Sequence, residues 1–227
     1  MPDYEIKIWN EDTFKVNSMP YVHQAYMRKR YAFVSDYVRL HALYTEGGIY
    51  LDTDVEVLKR FDDLLTSPAF VGFEAENYIG TGIMASERHG RWVKDIMARY
   101  EDREYLRTDG SEDTTTNVEM ITAMLAAQGL LLKNGHHDMP GYLHIFPKEY
   151  FSPKAWNDRG LSITSNSYAI HHYDGSWMDR RQRWLMFIGQ RFGAKTAHYI
   201  DYFCRPLPEV WKNLWASIKR RIKQNRG

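Results

Sequence analysis

Residues 35–57 read Ser35-Asp36-Tyr-Val-Arg39-Leu-His-Ala-Leu-Tyr44-Thr-Glu-Gly47-Gly48-Ile-Tyr-Leu-Asp52-Thr-Asp54-Val-Glu-Val57. Ser35 followed by Asp36 is a helix-start signal, and Phe33, Tyr37, Leu40 and Tyr44 keep one helical face apolar. Gly47 and Gly48 should stop that helix, because a left-handed cap is cheap only for glycine. A short apolar strand, Ile49-Tyr50-Leu51, then delivers two carboxylates, Asp52 and Asp54. Residues i and i+2 of an extended chain share a side, so the two acids can face one point while Thr53 points away.

Two carboxylates converging at a strand end repel one another unless a cation sits between them. Hard oxygen ligands suit Mg2+ or Mn2+, and Mg2+ commonly takes one or two carboxylates plus substrate phosphates. The D-x-D tripeptide alone is weak evidence and reads more readily as a solvated turn with an N-cap. Its setting is more specific: Ala32-Phe33-Val34-Ser35-Asp36, then Arg39, then Gly47 through Asp54 in order. This set, within Tyr31 to Asp63, resembles the DXD-containing glycosyltransferases of family 32, a group of GT-A fold. That group includes bacterial capsular-polysaccharide transferases and fungal initiating mannosyltransferases. A looser resemblance runs from about Pro2 to Trp177.

The resemblance implies an α/β fold of GT-A type, a Rossmann-like mixed sheet flanked by helices. It implies Mn2+ or Mg2+ held by Asp52 and Asp54, with Asp52 and Tyr50 beside a nucleotide-sugar donor. Asp36 and Arg39 lie three apart on one helical face, the spacing of a local ion pair. The nearly apolar helix around them points to burial, and buried charges need partners. From the resemblance, Asp36 would hold hydroxyls of the donor sugar. Arg39 would contact that sugar or its phosphate and steady a departing diphosphate.

Towards the N-terminus, Tyr4-Glu5-Ile6-Lys7-Ile8-Trp9 alternates as a strand does and runs into a polar turn, Asn10 to Thr13. In the related enzymes this strand is the second of the nucleotide-binding half, so the first strand is expected to be missing here. Residues 20–30 read as a short basic helix. Towards the C-terminus, Ala69 to Glu74 reads as a buried strand and Ile79 to Ala85 as another. Gly80 and Gly82 allow close backbone approach; they fit an ordinary bulge or, by resemblance, a segment bordering sugar and acceptor. Trp92, Val93, Ile96, Met97 and Tyr100 mark an amphipathic helix whose stripe is core. The polar stretch 107–117 precedes a helix over 118–128, and Asn117 is a further candidate for the donor site. His136-His137-Asp138, followed by Met-Pro-Gly, reads as a solvated turn rather than a metal cluster.

Leu143 to Pro147 and Tyr168 to His172 read as strands. After the latter comes Tyr173-Asp174-Gly175-Ser176-Trp177. Other retaining GT-A enzymes place a histidine, an aromatic, a variable residue and glycine near the end of the domain. By that likeness His172 is the candidate third metal ligand, with Ser176 and Trp177 near the diphosphate. His171 should then face the opposite way.

The remaining signals bound the class. The chain has 227 residues, 44% of them apolar and 15% aromatic, which suits one globular α/β domain. A net charge of +1 gives no reason to expect nucleic acid. One cysteine, Cys204, excludes an internal disulfide and fits a packing role in a reducing compartment. No apolar run approaches the roughly 20 residues of a membrane span. From Glu209 onward, Trp211, Leu214, Trp215, Ile218 and Ile222 fall on one helical side. Six cations against Glu209 give this segment +5 in a chain of net +1. Tryptophan with lysine and arginine is the composition of a helix lying on anionic lipid; a terminal helix docked by its tryptophans is the alternative.

Together these readings divide the chain into a catalytic domain, 1–208, and a basic amphipathic helix, 209–227. The expected activity is metal-dependent, retaining transfer of a sugar from a UDP- or GDP-sugar to a glycan or lipid-linked oligosaccharide. Its expected setting is surface-polysaccharide synthesis in the cytoplasm, at the inner face of the membrane. The alternative is a weak or inactive remnant that binds glycan or membrane. Phosphoryl transfer also uses paired aspartates, but the chain has no Walker-type glycine loop. G-T-G at 80–82 likewise lacks the spacing of a dinucleotide fingerprint.

Overall fold

A computed structural model describes residues 3–154, 160–175, 180–193 and 196. The chain divides into two units, residues 1–177 and 178–227. In the first, helices α1 (Pro20–Met27), α2 (Tyr31–Glu46), α3 (Arg91–Met97) and α4 (Asn117–Ala127) accompany a mixed sheet. Its strands are β1 (Gly48–Leu51), β3 (Ala69–Ala75), β4 (Tyr78–Ser86), β5 (His137–Met139) and β6 (Leu143–Phe146). They lie in the order β1-β4-β3-β6-β5, with β3 and β6 parallel and the other pairs antiparallel. A separate antiparallel ribbon joins β2 (Val55–Val57) to β7 (Ala169–His171). In the second unit, α5 (Arg180–Phe192) leaves Trp184, Phe187 and Phe192 exposed. The expected mixed α/β sheet flanked by helices is therefore present.

Strand alternation fills two cores, one on each face. Val71 and Phe73 of β3, Met84 of β4 and Ile145 of β6 join Leu40 and Leu43 of α2 in the larger. Phe70, Ile83, Ala85 and Phe146 project the other way, onto Phe61, Phe151 and Tyr168. β1 lies at the edge of this double-sided sheet, so Asp52 emerges where the sheet gives way to the β2–β7 ribbon.

Three local expectations change. Helix α2 begins at Tyr31, not at Ser35, because Phe33 and Val34 already pack on the large core. Ser35 then sits inside the helix and donates its hydroxyl to the Ala32 carbonyl at 2.8 Å, the back-bonding that serine makes in place of a cap. Residues 4–9 form no strand, since no neighbouring strand supplies a ladder; Ile6 and Ile8 are 80% and 75% exposed. Side chains hold this segment instead: Tyr4 donates to Asp62 and Lys7 pairs with Glu46 at 2.8 Å. Lastly, His137 and Asp138 lie in β5 rather than in a turn, because they pair with Ile145 and His144 of β6. His136 immediately precedes this strand. The glycines behave as read: Gly47 and Gly48 have φ of 73° and 94°, and the Gly47 N–H closes the helix on Leu43. Cys204, Ser176, Trp177 and the basic segment 209–227 lie outside the described residues.

Candidate metal and donor site

The site begins where β1 ends. Asp52 donates its backbone N–H to the Gly82 carbonyl at 2.8 Å, extending the β1–β4 ladder by one bond. The Val55 N–H returns to the Asp52 carbonyl at 3.1 Å, a tight turn that swings Asp54 back beside Asp52. Antiparallel pairing of Val55 with His171 brings the imidazole to the same place. His171 Nε2 is 3.3 Å from Asp54 Oδ1 and 3.9 Å from Asp52 Oδ2. One ligand atom from each of Asp52, Asp54 and His171 lies within 4.8 Å of the others. This is the one such cluster of potential metal ligands among the described residues.

Two carboxylates and one imidazole form a mixed oxygen and nitrogen donor set, which suits Mn2+ better than Mg2+. The surroundings keep both acids oriented for such an ion. Asp54 Oδ2 accepts the Asp174 N–H at 2.9 Å. The hydrogen bond to His171, with that N–H, outweighs partial burial and holds the Asp54 carboxyl down at about 2. Tyr50 donates its hydroxyl to Asp52 Oδ1 at 2.8 Å, leaving Oδ2 towards the histidine.

The histidine beside the two acids is thus His171 and not the expected His172. The side chain of His172 turns onto Glu56, with 2.9 Å between Nε2 and Oε2, while its N–H bonds the Asp54 carbonyl. The run Tyr168, Ala169, Ile170 is buried throughout. A strand buried on both faces carries no alternation from which to set the phase of the next residue.

Asp36 and Arg39 are buried, 7% and 5% exposed, and adjoin the acids from α2. Arg39 Nη1 donates to the Thr81 carbonyl at 2.5 Å, and Nη2 lies 3.3 Å from Asp36 and 3.4 Å from Asp52. The guanidinium also stands over the Tyr50 ring at 4.9 Å. Burial works against its charge, but Asp52, Tyr50 and Asp36 prevail and raise its pKa. Asp36 is raised in turn, chiefly by burial, against the opposing pull of Arg39 and the Asn117 N–H. Asn117 is wholly buried: its N–H bonds Asp36 Oδ2 at 3.1 Å, its amide donates to the Asp36 carbonyl at 2.6 Å, and Tyr100 donates to its Oδ1. The sequence candidates Asp36, Arg39, Tyr50, Asp52, Asp54 and Asn117 are therefore one connected network.

Gly82 belongs to it by what it lacks. A Cβ there would stand 2.7 Å from His171 Cε1 and 3.1 Å from Asp52 Oδ2. Sequence reasoning missed Glu74 and Tyr173, which flank the same place. Burial pushes the Glu74 carboxyl up to about 7, against the nearby His171 and Arg39 charges. Tyr173 stacks on His171 with ring centroids 4.0 Å apart. A positive φ of 57° at Tyr173, unusual for a residue with a side chain, was the one local peculiarity, and sequence does not announce it.

Residues 1–71 match the family described as glycosyltransferase sugar-binding region containing DXD motif. Over that stretch, under a third of its length, the chain is similar to DXD-containing glycosyltransferases. The DXD region and its surroundings are similar to three curated fungal proteins. Glucan organizing enzyme 1 of Cryptococcus neoformans is 51% identical over 47 residues, 21% of this chain and 13% of its own. Inositol phosphoceramide mannosyltransferase 3 of Schizosaccharomyces pombe is 34% identical over 87 residues, 37% of this chain and 24% of its own. A mannosyl phosphorylinositol ceramide synthase of Saccharomyces cerevisiae is 30% identical over 102 residues, 43% of this chain and 27% of its own. The chain thus spans roughly an eighth to a quarter of the length of these relatives. No solved structure matches it.

Proposed function

We propose that the chain is a metal-dependent glycosyltransferase that moves a sugar from a nucleoside-diphosphate donor to a glycan or lipid-linked acceptor. The observation that carries this reading is the convergence of Asp52, Asp54 and His171 within 4.8 Å. A divalent ion, when bound there, supplies charge neutralisation and Lewis-acid stabilisation for a diphosphate leaving group. The chain's own residues prepare the place. Tyr50 and Arg39 both address Asp52 Oδ1, which leaves Oδ2 and Asp54 Oδ1 for the ion. Arg39 adds fixed positive charge beside the developing negative charge, in a region shielded from water. Asn117 and Tyr100 hold Asp36, and Asp36 with the Thr81 carbonyl holds Arg39.

Hydrolysis by a carboxylate pair fits less well. Asp52 and Asp54 share one side of one cluster, whereas glycosidases set their acids about 5 Å or more apart across the scissile bond. Two relatives are named as mannosyl-transferring enzymes acting on an inositol-phosphorylated ceramide. A GDP-linked mannose donor and a phosphoinositol-headed acceptor are accordingly the first pair to try, with UDP-sugars and capsular-type oligosaccharides beside them. Retention of configuration rests on the family resemblance, as does a place for Ser176 and Trp177 at the diphosphate. For the basic segment 209–227 the proposed partner is an anionic membrane surface, which would bring the site to a lipid-linked acceptor.

The test is release of nucleoside diphosphate from GDP-mannose and UDP-sugars with Mn2+, Mg2+ or EDTA. Metal-dependent turnover that falls at least about a hundredfold in Asp54→Ala supports the transferase. Donor binding with no turnover in any acceptor mixture would favour the sugar-binding remnant, and metal-independent turnover would reject the metal reading.

A further inference from the structure

Glu74 takes no part in the hydrogen-bond network around Asp36, Arg39 and Asp52. It stands on β3 where the register against β4 slips between Phe73 and Ala75, a bulge that re-aims a side chain. Its side chain lies over Gly80: a Cβ there would sit 3.0 Å from Glu74 Cβ and 3.3 Å from Oε2. Over Gly82, two residues along the same face of β4, lie His171 and Asp52. Glu74 is therefore one strand repeat, about 7 Å, from the metal cluster. Its carboxyl makes no hydrogen bond or ion pair among the described residues, although the residue is half-buried in β3. A half-buried carboxyl without a protein partner is left to bond whatever enters beside it.

A second orphan faces the same place. The Tyr173 hydroxyl is buried and, although close to Ser152, makes no hydrogen bond of normal geometry among the described residues. The Tyr173 ring packs at 4.0 Å on that of His171, which lines the same cleft as Gly80 and Gly82. Gly72, Gly80, Gly82, Phe151, Ser152 and His171 line a small cleft here, about 10 Å³ and partly open to solvent. That is the room of one water-sized group, so the cleft seats a single hydroxyl oxygen rather than a sugar ring.

We propose that Glu74 and Tyr173 form a socket for one hydroxyl-bearing arm of a sugar, beside the Asp52–Asp54–His171 cluster. The carboxylate accepts the sugar hydroxyl's hydrogen bond and the tyrosine hydroxyl donates to the same oxygen. This rests on the transferase reading above and adds the residues that recognise the sugar. The arm belongs either to the sugar transferred or to the acceptor, and the two sources separate experimentally.

The full-length protein, with Mn2+ present, is titrated calorimetrically with GDP and with GDP-mannose, and with UDP and UDP-glucose. Wild type is compared with Glu74→Gln, Glu74→Ala and Tyr173→Phe, and acceptor KM is measured alongside. Bare nucleotide affinity should stay within about twofold in every variant. If the arm is the donor's, the extra affinity that the sugar confers falls about tenfold in Glu74→Ala, with partial rescue in Glu74→Gln. If it is the acceptor's, that increment is unchanged and acceptor KM rises by a similar factor. No change in either quantity overturns the socket, and so does an equal loss of bare nucleotide binding, which would make Glu74 a support for the metal site. Failure of wild type to bind any nucleotide overturns the transferase reading and the socket together, so the two failures are distinct.

Discussion

At the scale of single residues, the site turns on a choice between neighbouring histidines. His171 faces the two aspartates while His172 faces Glu56. His171→Ala should therefore weaken Mn2+ binding at least about tenfold in a calorimetric titration, while His172→Ala leaves it nearly unchanged. Equal losses would mean that the histidines act as a unit. Gly82 gives a second test. A methyl group at that position meets His171 and Asp52 inside contact distance, so Gly82→Ala should displace the imidazole and lower metal affinity about as far as His171→Ala does. Thermal stability should fall by only about 1–3 kcal/mol, the usual range for overpacking. The sequence shows the acids and the glycine plainly, because D-x-D and a two-glycine stop are local signals. It hides the histidine, since whether residue 171 or 172 turns inward depends on its pairing with Val55, 116 residues earlier.

At the scale of elements, two latches place helix α4 and with it the support of Asp36. Thr116 caps the helix, its hydroxyl accepting the Glu119 N–H while the Glu119 carboxylate accepts the Thr116 N–H. Thr116→Ala should cost about 1 kcal/mol in denaturant unfolding. The loop before it is pinned by Asp113, which Arg103 meets at 2.7 Å with both side chains largely buried. Burial disfavours the Asp113 charge, but Arg103 and the Thr115 hydrogen bonds more than offset it and lower its pKa from 3.8 to about 2. Because the folded value lies below the unfolded one, this contribution is fully present above about pH 4. It is lost as pH falls towards 2, at a scale of about 2 kcal/mol. Asp113→Asn should flatten the acid limb of the stability–pH curve between those values; an unchanged limb would show that the pair is screened. The cap is legible in sequence, since the polar stretch before α4 carries Thr116 and, three residues on, Glu119; the Arg103–Asp113 pair is not, because it meets through a loop whose path only the fold defines. The N-terminal alternation shows the converse failure, where a strand-like pattern at residues 4–9 has no neighbouring ladder to join.

At the scale of the whole molecule, the mixed sheet was legible because its strands announce themselves: β3 and β4 as apolar runs, β1 between a glycine pair and two acids. The order β1-β4-β3-β6-β5 was not, as it depends on which edges meet across long connections. That order nevertheless makes the site, because it sets β4, with Gly80 and Gly82, between β1 with its acids and β3 with Glu74. Among the described residues no helix is long and apolar enough to cross a membrane. If segment 209–227 lies on anionic lipid, the full-length protein should sediment with phosphatidylserine vesicles and a chain ending at Pro208 should not. Equal sedimentation would discard that role. The most direct test of the whole account is the pulsed electron paramagnetic resonance spectrum of Mn2+ bound to the wild-type protein with GDP or UDP. One manganese ion should show coupling both to an imidazole nitrogen and to diphosphate phosphorus. A protein-bound ion showing phosphorus but no nitrogen, or nucleotide bound with no manganese beside it, would contradict the assignment of Asp52, Asp54 and His171 as the seat of the reaction.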